Sequence, residues 1–490
     1  MERVMPSSID YSRVLPLSIP AIARRKKFYP ANGTAFNFLG SNEIRIQVGS
    51  ANALLDPTHS YIECEVVNAN AAQTFGFDMG GLSTMFSDVI IEQGGRVLSH
   101  CHEYNRLHSS VLAPAQTSKD GKATESLTGA GRAYNGVGVL SVAPRGVGGT
   151  GESYSNQAHN TDAFLPAGGG LRMTMGLTTG LFSQDKLIPL PLINPNEPIT
   201  IVLRVASSDM PGCWNGAPAV GDLQVINVSY NAHLIEVGRD VIDQFRGVQE
   251  DMGGQLVISG QDWEYGAGNV PAASAGELPI RMPTRKRSIK SMFWTCTDNS
   301  YAGGAGINEA LCFNLSYAGN CNVDSWQLKV GSVTYPPTPI AGWGDVAIAG
   351  ATPAVMQRGE SAMELAKAFG TLGYTNPTGY LSTITYGTDA AGALANGDNT
   401  DGAGADLVAA SGGVINVCPF GIDLEAVQRT AIESGIDTET LSQETNLILN
   451  INAVGASPAA LAAHDKVLNM WMLYDQHYYF NRDGSITFSN

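Results

Sequence analysis

The sequence predicts an all-β chain built as two antiparallel sandwiches in tandem, and three observations predict it. Short runs rich in Val, Ile, Thr and Tyr recur along the whole length, punctuated by 56 Gly and 24 Pro. Between the runs no helical stretch is long enough to cross over between parallel strands, so neighbours are expected to pair antiparallel. Finally, 490 residues exceed what a single hydrophobic core ordinarily serves, so two halves are expected.

Residues 1–29 read as an extended basic arm. Arg3, Arg13, Arg24, Arg25, Lys26 and Lys27 stand there against Glu2 and Asp10, a balance of +4 that leaves -20 for the rest of a chain whose net charge is -16. The first sandwich then spans 30–240. Glu43-Ile-Arg-Ile-Gln-Val48 alternates strictly, and Ser60 to Val67 nearly so, after a turn signal at Asp56-Pro57. Ser87 to Leu98 is a strand, a Gly94-Gly95 turn and a return strand, followed by a short helix within Glu103 to Leu112. Residues 113–170 form a Gly-, Ala- and Ser-rich excursion. Strands resume at Leu187 to Leu192, Pro198 to Val205 and Leu223 to Val237.

Residues 241–254 are expected to link the halves, and 255–490 to repeat the rhythm. Strands are read at Gln255 to Ser259, Ser288 to Cys296, Ser325 to Val330, Asn446 to Ile451 and Lys466 to Tyr474, with a second excursion at 387–413. The last two strands echo Ile199 to Val205 and Leu223 to Val237, as a duplicated domain would. One helix is marked by a capping box, Ser361-x-x-Glu364, with Leu365 and Phe369 on one face and Gly370 as its stop.

Composition narrows the function. With 43% hydrophobic and 15% charged residues the chain is globular, not disordered. Its 29 basic residues against 45 acidic ones argue against wholesale coating of nucleic acid. The seven cysteines (Cys64, Cys101, Cys213, Cys296, Cys312, Cys321, Cys418) are scattered and contain no C-x-x-C pair. Reduced thiols are therefore expected, with neither a disulfide framework nor a zinc site. The opening residues carry no signal-peptide pattern, and no apolar run reaches about 18 residues, which predicts a soluble chain not exported by that route.

Ordered segments in both halves resemble the double jelly-roll major capsid proteins of adenoviruses, tectiviruses, virophages and polinton-like viruses. Gly180-Leu-Phe-Ser-Gln-Asp-Lys-Leu-Ile-Pro-Leu-Pro-Leu192, followed by Ile199 to Val205, is similar to the end of that family's first jelly roll. The hairpin Phe86 to Leu98 running into Glu103 to Leu107 resembles its early strand-and-helix element. In the second half, Pro283 to Phe293, Trp326 to Ile340, Ser434-Gly435, and Leu473-Tyr-Asp475 with the late Gly484 turn are similar in order and spacing.

The resemblance implies two tandem eight-stranded antiparallel jelly rolls with long loops and a few short helices. It implies homotrimers giving pseudo-hexagonal tiles of an icosahedral virion, beside penton and minor capsid or cement proteins. The arm would lie beneath the tile, where Arg24, Arg25, Lys26 and Lys27 would meet genome, the anionic lipids of an inner membrane, or another capsid protein. Two rival readings remain open, a glycan-binding or glycan-processing sandwich and a minor capsid or spike protein.

Other motifs read as structure. His100-Cys101-His102 with His108 offers metal-ligand types, with the two flanking imidazoles on one strand face, but no second cysteine or acid follows at ligand spacing. Gly146-Val-Gly-Gly-Thr-Gly151 lacks the preceding strand and following helix of a dinucleotide site. Asp401 to Leu407 resembles a single calcium turn of a kind that works in arrays. Arg285-Lys-Arg287, like Arg24 to Lys27, could be a nuclear-import signal, but its position in the fold favours structure or an interface. No nucleophile elbow, metalloprotease or P-loop motif is present. No catalytic, cofactor or metal residues are therefore assigned, and no small-molecule substrate is expected.

Overall fold

A computed structural model describes residues 21–112 except 73–74 and 78–79, and 164–298 except 166, 185, 209–210, 215–218, 220, 252, 272–273 and 283. It also describes 315, 323–342, 345–346, 355–356, 359–370, 387–388, 416–417, 419–426, 435–439, 444–451 and 465–489. Most of both predicted excursions, including Gly146–Gly151 and Asp401–Leu407, lies outside the described residues.

Eight principal strands build the first half. They are β1 (Ala21–Phe28), β2 (Glu43–Val48), β3 (Ala53–Asn68), β4 (Phe86–Gln93), β5 (Arg96–His102), β6 (Gly170–Met175), β7 (Ile199–Val205) and β8 (Leu223–Val237). They pair antiparallel in two sheets, β1-β8-β3-β6 and β2-β7-β4-β5. The second half supplies β9 (Gln255–Val270), β10 (Gly276–Met282), β11 (Ile289–Asp298) and β12 (Val323–Val330). It continues with β13 (Val333–Ala341), β14 (Phe420–Asp423), β15 (Thr445–Ile451) and β16 (Lys466–Asn481). Their sheets run β9-β16-β11-β14 and β10-β15-β12-β13.

The two orders are the same list displaced by eight. Each half is a jelly roll, and the echo of β7 and β8 in β15 and β16 is one part of a duplication that covers all eight strands. A further strand, β17 (Ile486–Ser489), pairs with β16.

Alternation explains the layers. In β2 the side chains of Ile44, Ile46 and Val48 are fully buried while Glu43, Arg45 and Gln47 face outward, and β15 does the same with Leu447, Leu449 and Ile451. Each such buried aliphatic contributes about 2 kcal/mol. A single contiguous set of buried apolar side chains includes residues of both jelly rolls.

Several local expectations need correction. Asp56-Pro57 does not precede a strand but lies inside β3, where the register against β8 shifts between Asn231 and His233. The Asp56 carboxylate absorbs the bulge by accepting from the Thr58 amide at 3.1 Å and from the Thr58 hydroxyl at 2.6 Å. Leu187 to Leu192 is not a strand. Ile188 makes one bridge to Leu55 and residues Leu190–Leu192 form a 3-10 turn, because Pro189 and Pro191 bring no N–H to a ladder.

The linker is mostly helical, as α2 (Arg239–Asp251), and follows a short α1 (Tyr104–Leu107) in the first jelly roll. In α3 (Gly359–Gly370) Leu365 and Phe369 are buried together as expected. Ser361 lies within its first turn and donates its hydroxyl to the Ala341 carbonyl, so the helix start is tied to β13 and not to a capping box. Gly421 lets α3 approach β14, since a Cβ there would stand 2.8 Å from Leu365. Cys296 is disulfide-bonded, against the expectation of reduced thiols; scattered spacing does not prevent pairing in a fold that brings distant residues together. Cys64 and Cys101 are free and buried, which pushes both thiols well above the ordinary range.

Candidate assembly interface

Arg24, Arg25, Lys26 and Lys27 lie in β1, the first strand of the first jelly roll. They are extended, as expected, but the fold starts before them: β1 pairs with β8 residue by residue from Ala21 opposite Val237 to Phe28 opposite Tyr230. Seven of its eight residues are exposed, so backbone pairing and charge hold it in place more than burial does. Arg24 Nε lies 3.3 Å from Glu236, while Lys27 Nζ and Arg25 meet Glu63 at 2.8 and 3.6 Å. Arg25 also donates to Asn231 Oδ1 at 3.0 Å, and the Lys26 ammonium sits 4.7 Å from the Phe28 ring centre.

Glu63 on β3 is the hub. It also receives Asn231 Nδ2 at 2.7 Å and faces Arg172 at 3.7 Å. The Lys27 hydrogen bond, with those neighbours, holds its carboxyl below the ordinary range. Three of the four cations thus face acids of their own sheet.

The joint between the jelly rolls is built from β4 and β5 on one side and β9, β16 and β17 on the other. Ser99 Oγ donates to Asp262 Oδ1 at 2.9 Å, Trp471 Nε1 to the His102 carbonyl at 3.4 Å, and Gln476 Nε2 to the Leu98 carbonyl at 3.4 Å. Gln93 reads the other jelly roll through both ends of its amide, donating to the Gly484 carbonyl at 2.7 Å and accepting from the Ile486 amide at 2.6 Å. Two glycines at positive φ allow the close approach. A Cβ on Gly180 (φ +49) would lie 2.5 Å from the Tyr478 hydroxyl, and one on Gly484 (φ +83) 2.5 Å from the Asn194 amide. Buried polar groups that are paired across the joint, together with shared apolar core, fix the two blocks as one unit.

The remaining sequence motifs separate. Arg287 pairs with Glu439, and Lys286 lies 3.9 Å from the Tyr474 ring centre and 3.7 Å from Glu264, so this basic run braces the second jelly roll. His108 is buried away from His100 and His102, bonded to Thr178 Oγ1 at 2.8 Å, and burial pushes its pKa down to about 3. His100 and His102 do share a strand face, and the fold brings an acid to it from a neighbouring strand. Asp88, on β4 opposite His102, places Oδ1 2.9 Å from His102 Nδ1 and 3.2 Å from His100 Nε2. Burial and the adjacent His100 hold the His102 imidazole below its ordinary pKa. Among the described residues this is the one group of three His, Cys, Asp or Glu side chains arranged to hold a metal ion.

No helix among the described residues is long and apolar enough to cross a membrane. No protein-family model and no curated protein sequence matches the chain. Solved structures do match in fold. The PBCV-1 virus capsid structure aligns with 98% of this chain and 100% of its own at 12% identity, with a TM-score of 0.56. The Sputnik virophage structure aligns over 99% and 92% at 10% identity (TM-score 0.52), and the Faustovirus major capsid protein over 96% and 92% at 8% identity (TM-score 0.52). The chain therefore has the double jelly-roll fold over nearly its whole length.

Proposed function

We propose that the chain is a major capsid protein, a structural subunit that forms pseudo-hexagonal homotrimers tiling an icosahedral virus shell and catalyses no reaction. One observation carries the reading: each chain presents two blocks of identical strand order, locked side by side by the joint at Ser99, Asp262, Gln93 and Gly484. Three such chains around an axis place six similar blocks on a ring, and a tile with six similar edges packs into a shell. The fold likeness to capsid proteins, which spans at least 92% of each of their chains, supports the same role.

In this reading the chain resides in the virion after assembly in host cytoplasm or nucleus, and its neighbours are further trimers, pentons and minor capsid or cement proteins. β1 is first of all a structural strand. Since Glu63 and Glu236 offset much of its charge, contact of Arg24 to Lys27 with genome, membrane or a minor protein is accessory and weakened by salt. Light scattering on the purified chain is expected to give the mass of three 51.6-kDa chains. A monomer that persists at high concentration contradicts the proposal.

A further inference from the structure

We propose that Asp88, His100 and His102 form a binding site for a transition-metal dication of the zinc type, clamping the β4–β5 hairpin next to the joint. The site stands on geometry. Strands β4 and β5 pair so that Asp88 faces His102 and Ile90 faces His100. The two imidazoles lie on the outer face with their ring centres 3.4 Å apart, while Cys101 between them points into the core.

The three donor atoms all lie within 4.8 Å of one another. Tetrahedral zinc, with bonds of about 2.0–2.1 Å, separates its ligand atoms by about 3.4 Å. The Asp88 oxygen is already 2.9 and 3.2 Å from the two ring nitrogens, so small side-chain rotations open the site to an ion. The Ser87 hydroxyl, 3.0 Å from Asp88 Oδ2, holds the second carboxylate oxygen, a supporting contact of the kind that orients metal ligands.

The donor set selects the ion. Two imidazole nitrogens and one carboxylate suit Zn²⁺ and its neighbours in the transition series, whereas Ca²⁺ and Mg²⁺ require oxygen shells. The His102 side chain is 49% exposed, against 25% for His100 and 16% for Asp88. An ion can therefore enter from solvent and complete its shell with water. Arg204 lies opposite Asp88 on β7 and is paired with Glu43 at 3.4 Å, which moderates its repulsion. Bound metal would tie β4 to β5 at the end of the hairpin whose backbone carries the His102 carbonyl contact to Trp471 and the Leu98 carbonyl contact to Gln476.

The test uses the full chain stripped with chelator and titrated calorimetrically with Zn²⁺, beside a His100→Gln/His102→Gln double variant. Both histidines are at least partly exposed, and melting of the metal-free proteins checks that the variant folds. One ion per chain is expected to bind the parent protein, with affinity lowered more than about tenfold in the variant. The thermal midpoint should rise on adding Zn²⁺ in the parent alone, and Mg²⁺ at the same concentration should do neither. Equal Zn²⁺ uptake by parent and variant, or no uptake by the parent at micromolar metal, overturns the proposal. Co²⁺ gives an independent readout: a tetrahedral absorption band in the parent that is lost in the variant supports it, and an unchanged band contradicts it.

Discussion

Replacing Trp294 with Ala is expected to cost about 4 kcal/mol, whereas Trp294→Phe should cost about 1–2 kcal/mol. Trp294 on β11 is fully buried, stacked on Phe420 with ring centres 3.7 Å apart and planes 1° from parallel. It meets Trp326 edge-on at 5.7 Å. Because β11 and β12 belong to opposite sheets, this aromatic cluster joins the two layers of the second jelly roll. Alanine leaves a cavity between layers that cannot close without moving both. Phenylalanine keeps the stack and forfeits part of the second ring, a small cavity, together with an indole N–H that has no hydrogen-bond partner among the described residues. Denaturant midpoints followed by circular dichroism check the ordering, and equal losses for both variants would show that the stack does not hold the layers.

The second large effect is electrostatic. The Asp262 carboxyl is completely enclosed at the joint, and burial pushes its pKa from 3.8 up to about 6, against the opposing hydrogen bonds of the Trp263 amide and Ser99. A folded-state pKa above the unfolded one means that the folded chain binds the extra proton. This contribution is therefore complete below about pH 4 and is lost as pH rises through about 6. The shift corresponds to about 3 kcal/mol.

Asp262→Asn keeps an oxygen for Ser99 and the Trp263 amide and carries no charge. Between pH 4 and pH 7 the stability of the variant is expected to rise relative to the parent by up to about 3 kcal/mol. Urea midpoints at pH 4, 5, 6 and 7 measure it, and parallel profiles would mean that Asp262 stays neutral or is solvated at the joint.

Strands with one buried face were legible because burial writes a period of two into the sequence; Glu43 to Val48 and Thr445 to Ile451 are read almost to the residue. Ala21 to Phe28 carries no such signal. It is exposed on both faces, so its membership of the sheet is decided by pairing with β8 and by Glu63 and Glu236, none of which is local. Without it the first jelly roll lacks the counterpart of β9.

The Asp88 site was hidden by a register shift. A two-residue turn at Gly94-Gly95 pairs Gln93 with Arg96, and an unbroken ladder would set Asp88 opposite Cys101. A shift after Glu92 opposite Val97 makes Ser99 the partner of Ile91 and moves Asp88 opposite His102. One extra residue thus decides which face the acid shares. The joint was not legible: the late Gly484 turn is visible as a turn, but its partner Asn194 lies in the other half of the chain.

Imaging the purified chain and averaging the views along its symmetry axis tests the tile itself. Two locked blocks per chain predict a six-lobed, hexagonal outline with threefold symmetry. Isolated two-lobed particles, or rings of any other symmetry, would contradict it.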